Sequence, residues 1–336
     1  MENKLQLSII LPAYNVENYL KKGVEAVLKQ KTKISFEVIV VDDGSTDNTL
    51  ELAQECFGDD PRVTIISQVN QGSGMARNTG FNVAKGEYIF FMDPDDSIED
   101  DMFASIFDAL EEEKVKPDLV MFSNKRHYES GKEASDVLIL EDKKLYVTNE
   151  EIIFGIPNFY KESVLFVAWA KVIRRNFLLE NKIKFTAQRT GQDALFSLDT
   201  FKFAQSLLWL PQKYYLYNVG REGSAQTRKN PQKVFDEMNI LAKMKSLLAT
   251  IEDDRAQEVL SDYIMYIALR ELQNIEFSPE NYSTFKSTLK SSPIRVELSK
   301  VKFSKLVPIK KLSYLICRSS LLSYFYYTYK VKRKKS

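Results

Sequence analysis

The chain has 336 residues, 44% hydrophobic and 28% charged, a composition that excludes disordered, collagen-like and disulfide-stapled classes. Two cysteines far apart, Cys56 and Cys317, and a single histidine, His127, argue against a disulfide framework, thiolate or multi-histidine zinc sites and Ser-His-Asp machinery. The net charge of +1 conceals a split: residues 299–336 hold eleven Lys or Arg and no acid, leaving 36 basic and 46 acidic residues before them.

In chain order, residues 7–11 are an apolar run closed by Pro12 and read as a buried strand. Asn15 is placed to cap a helix to about residue 30, with Tyr19, Leu20, Val24, Val27 and Leu28 near helical spacing. Residues 36–41 read as a second strand, Asp42-Asp43-Gly44-Ser45-Thr46-Asp47 as a turn into a helix, and residues 63–66 as a third strand. A polar, glycine-containing loop at 70–74 precedes a helix to about residue 84. Residues 88–92 read as a fourth strand that ends in Asp93-Pro94-Asp95-Asp96, with Ser97-Ile98-Glu99-Asp100 as a helix start. This alternation predicts βαβ units and a parallel sheet with right-handed crossovers. Ligands bind such sheets outside the carboxyl ends of the strands. Pro12-Ala13-Tyr14, Asp42-Asp43 and residues 93–96 therefore fall on one edge.

After residue 117 the pattern changes. Residues 118–123 read as a strand, 124–144 as a polar hairpin or loop, and 149–155, 171–180 and 193–204 as helical. Short strands are expected at 207–210 and 214–217, then a loop at Gly220-Arg221-Glu222-Gly223-Ser224, then helix after helix from about residue 231. The expected organisation is an α/β domain over 1–230 and a helical region over 231–336. No apolar run reaches the ~18 residues that a membrane-spanning helix needs. The N-terminus is unlike a signal peptide, so a cytoplasmic location is expected.

Four constellations carry chemistry. Asp93, Asp95 and Asp96 close an apolar strand, where short carboxylates can aim at one divalent cation and leave room for phosphate and water; a solvated turn or helix cap is the plainer reading. Any metal would be held by oxygen, which suits Mg²⁺ or Mn²⁺. Asp42-Asp43 is either a βα turn or an acid that accepts from a nucleobase or ribose. The loop from Asn70 into Ala76-Arg77-Asn78-Thr79-Gly80 lacks both the dinucleotide fingerprint and a P-loop lysine, but an arginine in its helix can approach an anion. Asp193, in Gly191-Gln192-Asp193, is a helix cap or a general base. His127 lies in a polar stretch and reads as a surface residue.

Taken together, Ile9-Ile10-Leu11-Pro12-Ala13-Tyr14-Asn15, Val41-Asp42-Asp43-Gly44-Ser45-Thr46-Asp47, Ala76-Arg77-Asn78-Thr79-Gly80, Gly86-Glu87-Tyr88-Ile89 and Asp93-Pro94-Asp95-Asp96 resemble the family 2 glycosyltransferases in order and spacing. The match is dense over residues 5–100. It thins through Trp169-Ala170-Lys171, Gly191-Gln192-Asp193-Ala194-Leu195-Phe196 and residues 214–224, and carries little beyond about 230. The resemblance implies the GT-A fold, a Rossmann-like, mostly parallel sheet flanked by helices. It also implies inverting transfer from a nucleotide-diphosphate sugar, UDP-linked at the level of the family, with Mn²⁺ or Mg²⁺. By the same resemblance Pro12, Tyr14 and Asp43 contact base and ribose, and Arg77 lies near the nucleotide. Asp95 ligates the metal, assisted by Asp93 and Asp96. Asp193 is the catalytic base, Trp169 lines the acceptor site, and Arg221 and Ser224 belong to a loop that closes over the diphosphate.

Two departures matter. The family usually has Glu-Asp where this chain has Gln192-Asp193, which leaves room for a non-catalytic scaffold. The Gln-x-x-Arg-Trp signature of processive members is absent from the sequence, which favours one sugar per encounter. A nucleotidyltransferase is a further alternative, disfavoured by the order of the motifs.

The tail joins Lys310, Lys311 and Arg318 to the aromatic run Tyr324, Phe325, Tyr326, Tyr327 and Tyr329, then to Lys330, Lys332, Arg333, Lys334 and Lys335. Rings at headgroup level and cations meeting anionic lipid suit a membrane surface. A packed helix is the plainer alternative, and nucleic acid is not expected. The expected acceptor is a glycan or lipid-linked precursor, met at the cytoplasmic face of the membrane.

Overall fold

The computed structural model describes residues 5–128, 133–134, 140–219, 233–274, 282–302, 306 and 308–319. The chain forms two compact units, Met1–Ser224 and Ala225–Ser336.

The first unit runs β1 (Leu7–Ala13), α1 (Leu20–Leu28), β2 (Phe36–Asp42), α2 (Thr49–Phe57), β3 (Val63–Ser67), α3 (Ser73–Val83) and β4 (Tyr88–Phe91). β5 (Ser97–Ile98), α4 (Met102–Glu111), β6 (Leu119–Tyr128), β7 (Glu133–Ala134) and β8 (Lys144–Tyr146) follow. α5 (Asn149–Lys161), β9 (Lys171–Arg174), α6 (Arg175–Glu180), α7 (Gln192–Phe203) and β10 (Leu207–Val219) complete it. The strand order is β3-β2-β1-β4-β9-β6-β10-β5. β1 to β4 are mutually parallel. β9 enters antiparallel between β4 and β6, while β6 and β10 run parallel. Every residue of β1 and β4 is buried, as expected for strands covered on both faces.

Two glycines let helices approach closely enough to shape the carboxyl edge. A Cβ on Gly80 of α3 would lie 2.5 Å from Ile10 Cγ2, and one on Gly23 of α1 would lie 2.3 Å from the Pro94 carbonyl oxygen. α3 therefore sits directly on β1, and α1 braces the turn after β4.

Several boundaries differ from the sequence reading. α1 starts at Leu20, and Asn15 is not its cap. Asn15 adopts a left-handed φ of 51°, accepts from Thr46 N (2.8 Å) at its side-chain oxygen and donates its own backbone N–H to Ser45 Oγ (3.0 Å), so it joins two loops of the edge. Ser97 and Ile98 pair with Leu216 and Tyr215 rather than opening a helix, because β10 offers them a ladder. Residues 171–174 are strand, not helix: Val172 and Ile173 are fully buried between β4 and β6, where cross-strand burial outweighs a helical pattern. The two short strands expected near residues 207 and 214 are one strand, irregular between Leu210 and Tyr215. β6 extends to Tyr128 and pairs with β7, a hairpin in the stretch read as hairpin or loop.

The second unit contains α8 (Lys233–Leu248), α9 (Asp254–Asn274), α10 (Tyr282–Ser291), α11 (Ile294–Lys300) and α12 (Pro308–Arg318). α9 packs against α8, α11 and α12, burying Ile240, Leu241, Met244, Val259, Tyr263 and Ile267. In α12 Tyr314 and Cys317 are buried while Leu315 and Arg318 are exposed. The described part of the basic tail is thus a packed amphipathic helix. The aromatic run and Lys330 to Lys335 lie outside the described residues, as do Arg221 and Ser224.

Candidate active site

The site lies at the carboxyl edge of the first unit. Its centre is Arg77, on α3, whose side chain is only 4% exposed. Its guanidinium donates from Nη2 to Asp93 Oδ1 (2.6 Å) and from Nη1 to Asp193 Oδ1 (2.7 Å). One cation thus joins the turn after β4 to the first turn of α7. Charge-assisted bonds of this kind are about twice as strong as neutral ones. The ring of Phe185 lies 5.2 Å beneath the guanidinium. Phe185 stacks on Phe196 of α7 at 4.0 Å and meets Phe91 of β4 edge-on at 5.1 Å, contacts worth about 0.5–1.5 kcal/mol each. Asn78 of α3 exchanges two hydrogen bonds with the Phe185 backbone. Sheet, α3 and α7 are therefore tied at one point.

Asp193 sits in the first turn of α7, with Gly191 at the cap position, so it is not the helix cap. About a third of its side chain (32%) reaches solvent. Burial pushes its carboxyl above the usual range, Arg77 opposes this, Asp93 adds to it and Lys171 opposes it. The adjacent Gln192 turns away: its Oε1 accepts from Gly74 N (3.1 Å) and its Nε2 donates to Ser73 Oγ, joining α7 to the start of α3.

Asp93, Asp95 and Asp96 take three different environments. Asp93 is engaged by Arg77. Asp96 is buried, accepting from Tyr215 Oη (2.7 Å) and Asn218 N (2.8 Å). Burial, then the carboxylates of Asp93 and Asp95, push its pKa up to about 8. Asp95 is half-buried and lines a pocket of about 310 Å³ with Asn18, Lys22, His127 and Asn218. Among the described residues no three acidic, histidine or cysteine side chains are arranged to hold a metal. One carboxylate with a neighbouring carboxylate turn fits a cation that takes its remaining ligands from phosphate and water.

Asp43 is buried and strongly committed. Its oxygens accept from Gln68 Nε2 (2.8 Å), Gln71 N (2.9 Å) and Gly72 N (2.8 Å), three of roughly four acceptor positions on a carboxylate. Asp43 thus orders the loop before α3. Pro12 is buried on β1 and Tyr14 is 38% exposed just beyond it. Trp169 is 6% exposed and stacks on Tyr215 (4.3 Å, 10°) and Tyr217 (5.5 Å, 15°). These tyrosines, two apart on β10, share a strand face.

The structure brings Arg77, Asp93 and Asp193 into one bonded group and places Asp96 and Trp169 beside it through Tyr215, while the Asp95 carbonyl accepts from the Asn218 side chain. Tyr215, Tyr217, Asn218 and His127 were missed by sequence reasoning. His127 pairs with Asn218 across β6 and β10 and lines the Asp95 pocket, so it is more than a surface residue. No motif marks it; only the length of β6 brings it there.

The family model "Glycosyl transferase family 2" matches residues 8–174, which span β1 to β9. The glycosyltransferase GlyG of Streptococcus pneumoniae is 30% identical over 225 residues, covering 65% of this chain and 72% of GlyG. The chain belongs to glycosyltransferase family 2. GlyA of the same organism is also 30% identical, over 65% of this chain, but the chain spans only 31% of GlyA's length. A crystal structure of Staphylococcus aureus TarS 1-349 in complex with UDP-GlcNAc superposes with a TM-score of 0.66 at 21% identity, covering 95% of this chain and 89% of that one. The likeness extends beyond the family model and fixes the fold as GT-A.

Proposed function

We propose that this chain is an inverting glycosyltransferase. It moves one sugar from a UDP-linked donor to a hydroxyl of a cell-surface glycan or its lipid-linked precursor. The observation that carries this reading is the Arg77 bridge. A single buried guanidinium holds a carboxylate suited to accept a proton beside the strand-end aspartates suited to a sugar diphosphate. Membership of the family and the resemblance to TarS support the donor class.

In this reading the acceptor hydroxyl attacks the anomeric carbon in line as the bond to the diphosphate oxygen breaks. Asp193 takes the hydroxyl proton, a contribution of ~10²–10⁴-fold for a positioned base. The upward push on its carboxyl makes it the stronger base, and Arg77 keeps it oriented. A divalent cation at Asp95 would offset charge on the leaving diphosphate. Tyr14 and Asp43 serve the base and ribose, with Pro12 shaping the edge, and Asp96 steadies the turn through Tyr215. Trp169 backs the acceptor site, and Arg221 and Ser224, outside the described residues, serve the donor diphosphate. No described helix is long and apolar enough to cross a membrane. Attachment would be peripheral, through basic residues of the tail such as Lys311 and Lys334.

The test is nucleoside diphosphate release from a panel of nucleotide sugars, with and without Mn²⁺, for wild type and Asp95→Asn. Release from one donor, dependent on Mn²⁺ and lost in Asp95→Asn, is expected. Pyrophosphate release from a nucleoside triphosphate would overturn the reading in favour of nucleotidyl transfer.

A further inference from the structure

Lys171 is fully buried at the start of β9, a costly place for an ammonium unless each of its protons finds an acceptor. Its Nζ donates to the carbonyls of Val164 (2.9 Å), Leu165 (3.3 Å) and Val167 (2.6 Å). Those three carbonyls belong to the turn that leaves α5 and leads to Trp169. The turn is itself bent by a left-handed Ser163, with φ of 62°. Three N–H groups meeting three carbonyls of one short turn is a built arrangement, not an incidental burial.

The other side of this cluster is α7. Ser197 Oγ donates to the same Val167 carbonyl at 3.4 Å, and Nζ lies 5.5 Å from the Phe201 ring. Asp193, Ser197 and Phe201 follow one another at intervals of four residues, along one side of the helix. The side of α7 that carries the candidate base therefore rests on the Lys171 cluster. The charged groups around Asp193 are Arg77 from α3, Asp93 from the end of β4 and Lys171 from β9.

We propose that Lys171 is a positioning residue for sugar transfer: it fixes the 164–167 turn against α7, and so sets both Trp169 and the helix that presents Asp193. The inference rests on the function proposed above and adds a residue that touches neither donor nor acceptor. Its positive charge also favours the ionised form of Asp193, while burial pulls its own pKa down to about 7.

The test uses the full chain labelled with 5-fluorotryptophan. The sequence has two tryptophans, so two fluorine resonances are expected, with Trp169 assigned by Trp169→Phe. Lys171→Met keeps the unbranched stem of the side chain up to the ε position and loses its donors and charge. It should shift the Trp169 resonance more than that of Trp209 and leave UDP affinity unchanged. It should also lower the turnover rate by about tenfold to a hundredfold, the range for a displaced catalytic group. The acid limb of its rate profile should move to higher pH, whereas Lys171→Arg, which keeps the charge, should hold the limb near the wild-type position. Should Lys171→Met fail to fold, Lys171→Gln, which keeps two donors without charge, carries the same comparison.

An unmoved Trp169 resonance in the folded variant would overturn the proposal. An unmoved acid limb with only a loss of rate would reduce Lys171 to a structural residue, and equally overturn it. A wild-type protein that releases no nucleoside diphosphate from any donor would sink the functional reading alone, and the fluorine resonance would still decide the role of Lys171.

Discussion

At the scale of single residues, the site depends on how three elements divide their carboxylates. Arg77 holds both Asp93 and Asp193, each still partly open to solvent; Asp93 belongs to the turn after β4, and Asp193, on α7, has the arrangement a general base requires. Asp193→Asn should lower transfer by ~10²–10⁴-fold with UDP affinity unchanged, as read by steady-state kinetics and calorimetry. A loss of UDP binding instead would make Asp193 a donor contact. Asp96 makes a different prediction. Its pKa is raised to about 8 by burial and like charge, so the fold favours its protonated form. That contribution is fully present below the ordinary carboxyl value and is lost as pH rises through about 8. The metal-free protein should therefore melt at lower temperature as pH goes from 5 to 9, and Asp96→Asn, which keeps an acceptor for Tyr215, should flatten that decline. Equal slopes for the two proteins would remove Asp96 from the account. Added Mn²⁺ at pH 8 should raise the midpoint of wild type more than that of Asp95→Asn.

At the scale of elements, the turn after β4 is placed by a helix far away in sequence. Gly23 of α1 touches Pro94 through a contact that no Cβ could occupy. Alanine at an exposed helix position gains about 1 kcal/mol over glycine. Here the clash with backbone should cost about 1–3 kcal/mol, so destabilisation wins. Gly23→Ala should lower the urea midpoint and weaken UDP and Mn²⁺ binding together, because the turn carries Asp93, Asp95 and Asp96. A more stable Gly23→Ala protein with normal binding would show that α1 yields freely. The same logic explains Gln192: its amide spans Ser73 and Gly74, so it couples α7 to α3 without adding a second negative charge beside Asp193.

At the scale of the whole molecule, an acidic body and a basic tail share one chain. On α12, Lys311, Leu315 and Arg318 follow helical spacing on one side while Tyr314 and Cys317 are buried. A packed helix can thus still present cations outward. At ~1 kcal/mol per basic residue near an anionic surface, reversing Lys311 and Lys334 to Glu should weaken binding to phosphatidylserine vesicles by about tenfold or more, measured by sedimentation. Unchanged sedimentation would leave the tail as a structural element of the helical unit.

Sequence alone determined what local pattern determines: the βαβ alternation through β4, the strand-end placement of Pro12, Asp43 and the 93–96 turn, and the helical character beyond residue 231. Apolar periodicity and turn residues act over a few positions, so they are legible without the fold. The motif order was specific enough to indicate the family before any coordinate. Tertiary structure decided the rest. That residues 171–174 form a strand follows from the vacancy between β4 and β6, not from their own propensity. That Arg77 joins Asp93 to Asp193, across sixteen and 116 positions, follows from α3 lying on β1 through Gly80. The use of Lys171 as a buried clamp, the Tyr215 and Tyr217 platform under Trp169, and His127 beside Asp95 all depend on long-range pairing of β6, β9 and β10. Pairing across such distances is fixed by which buried surfaces fit together, and a single sequence does not display that fit.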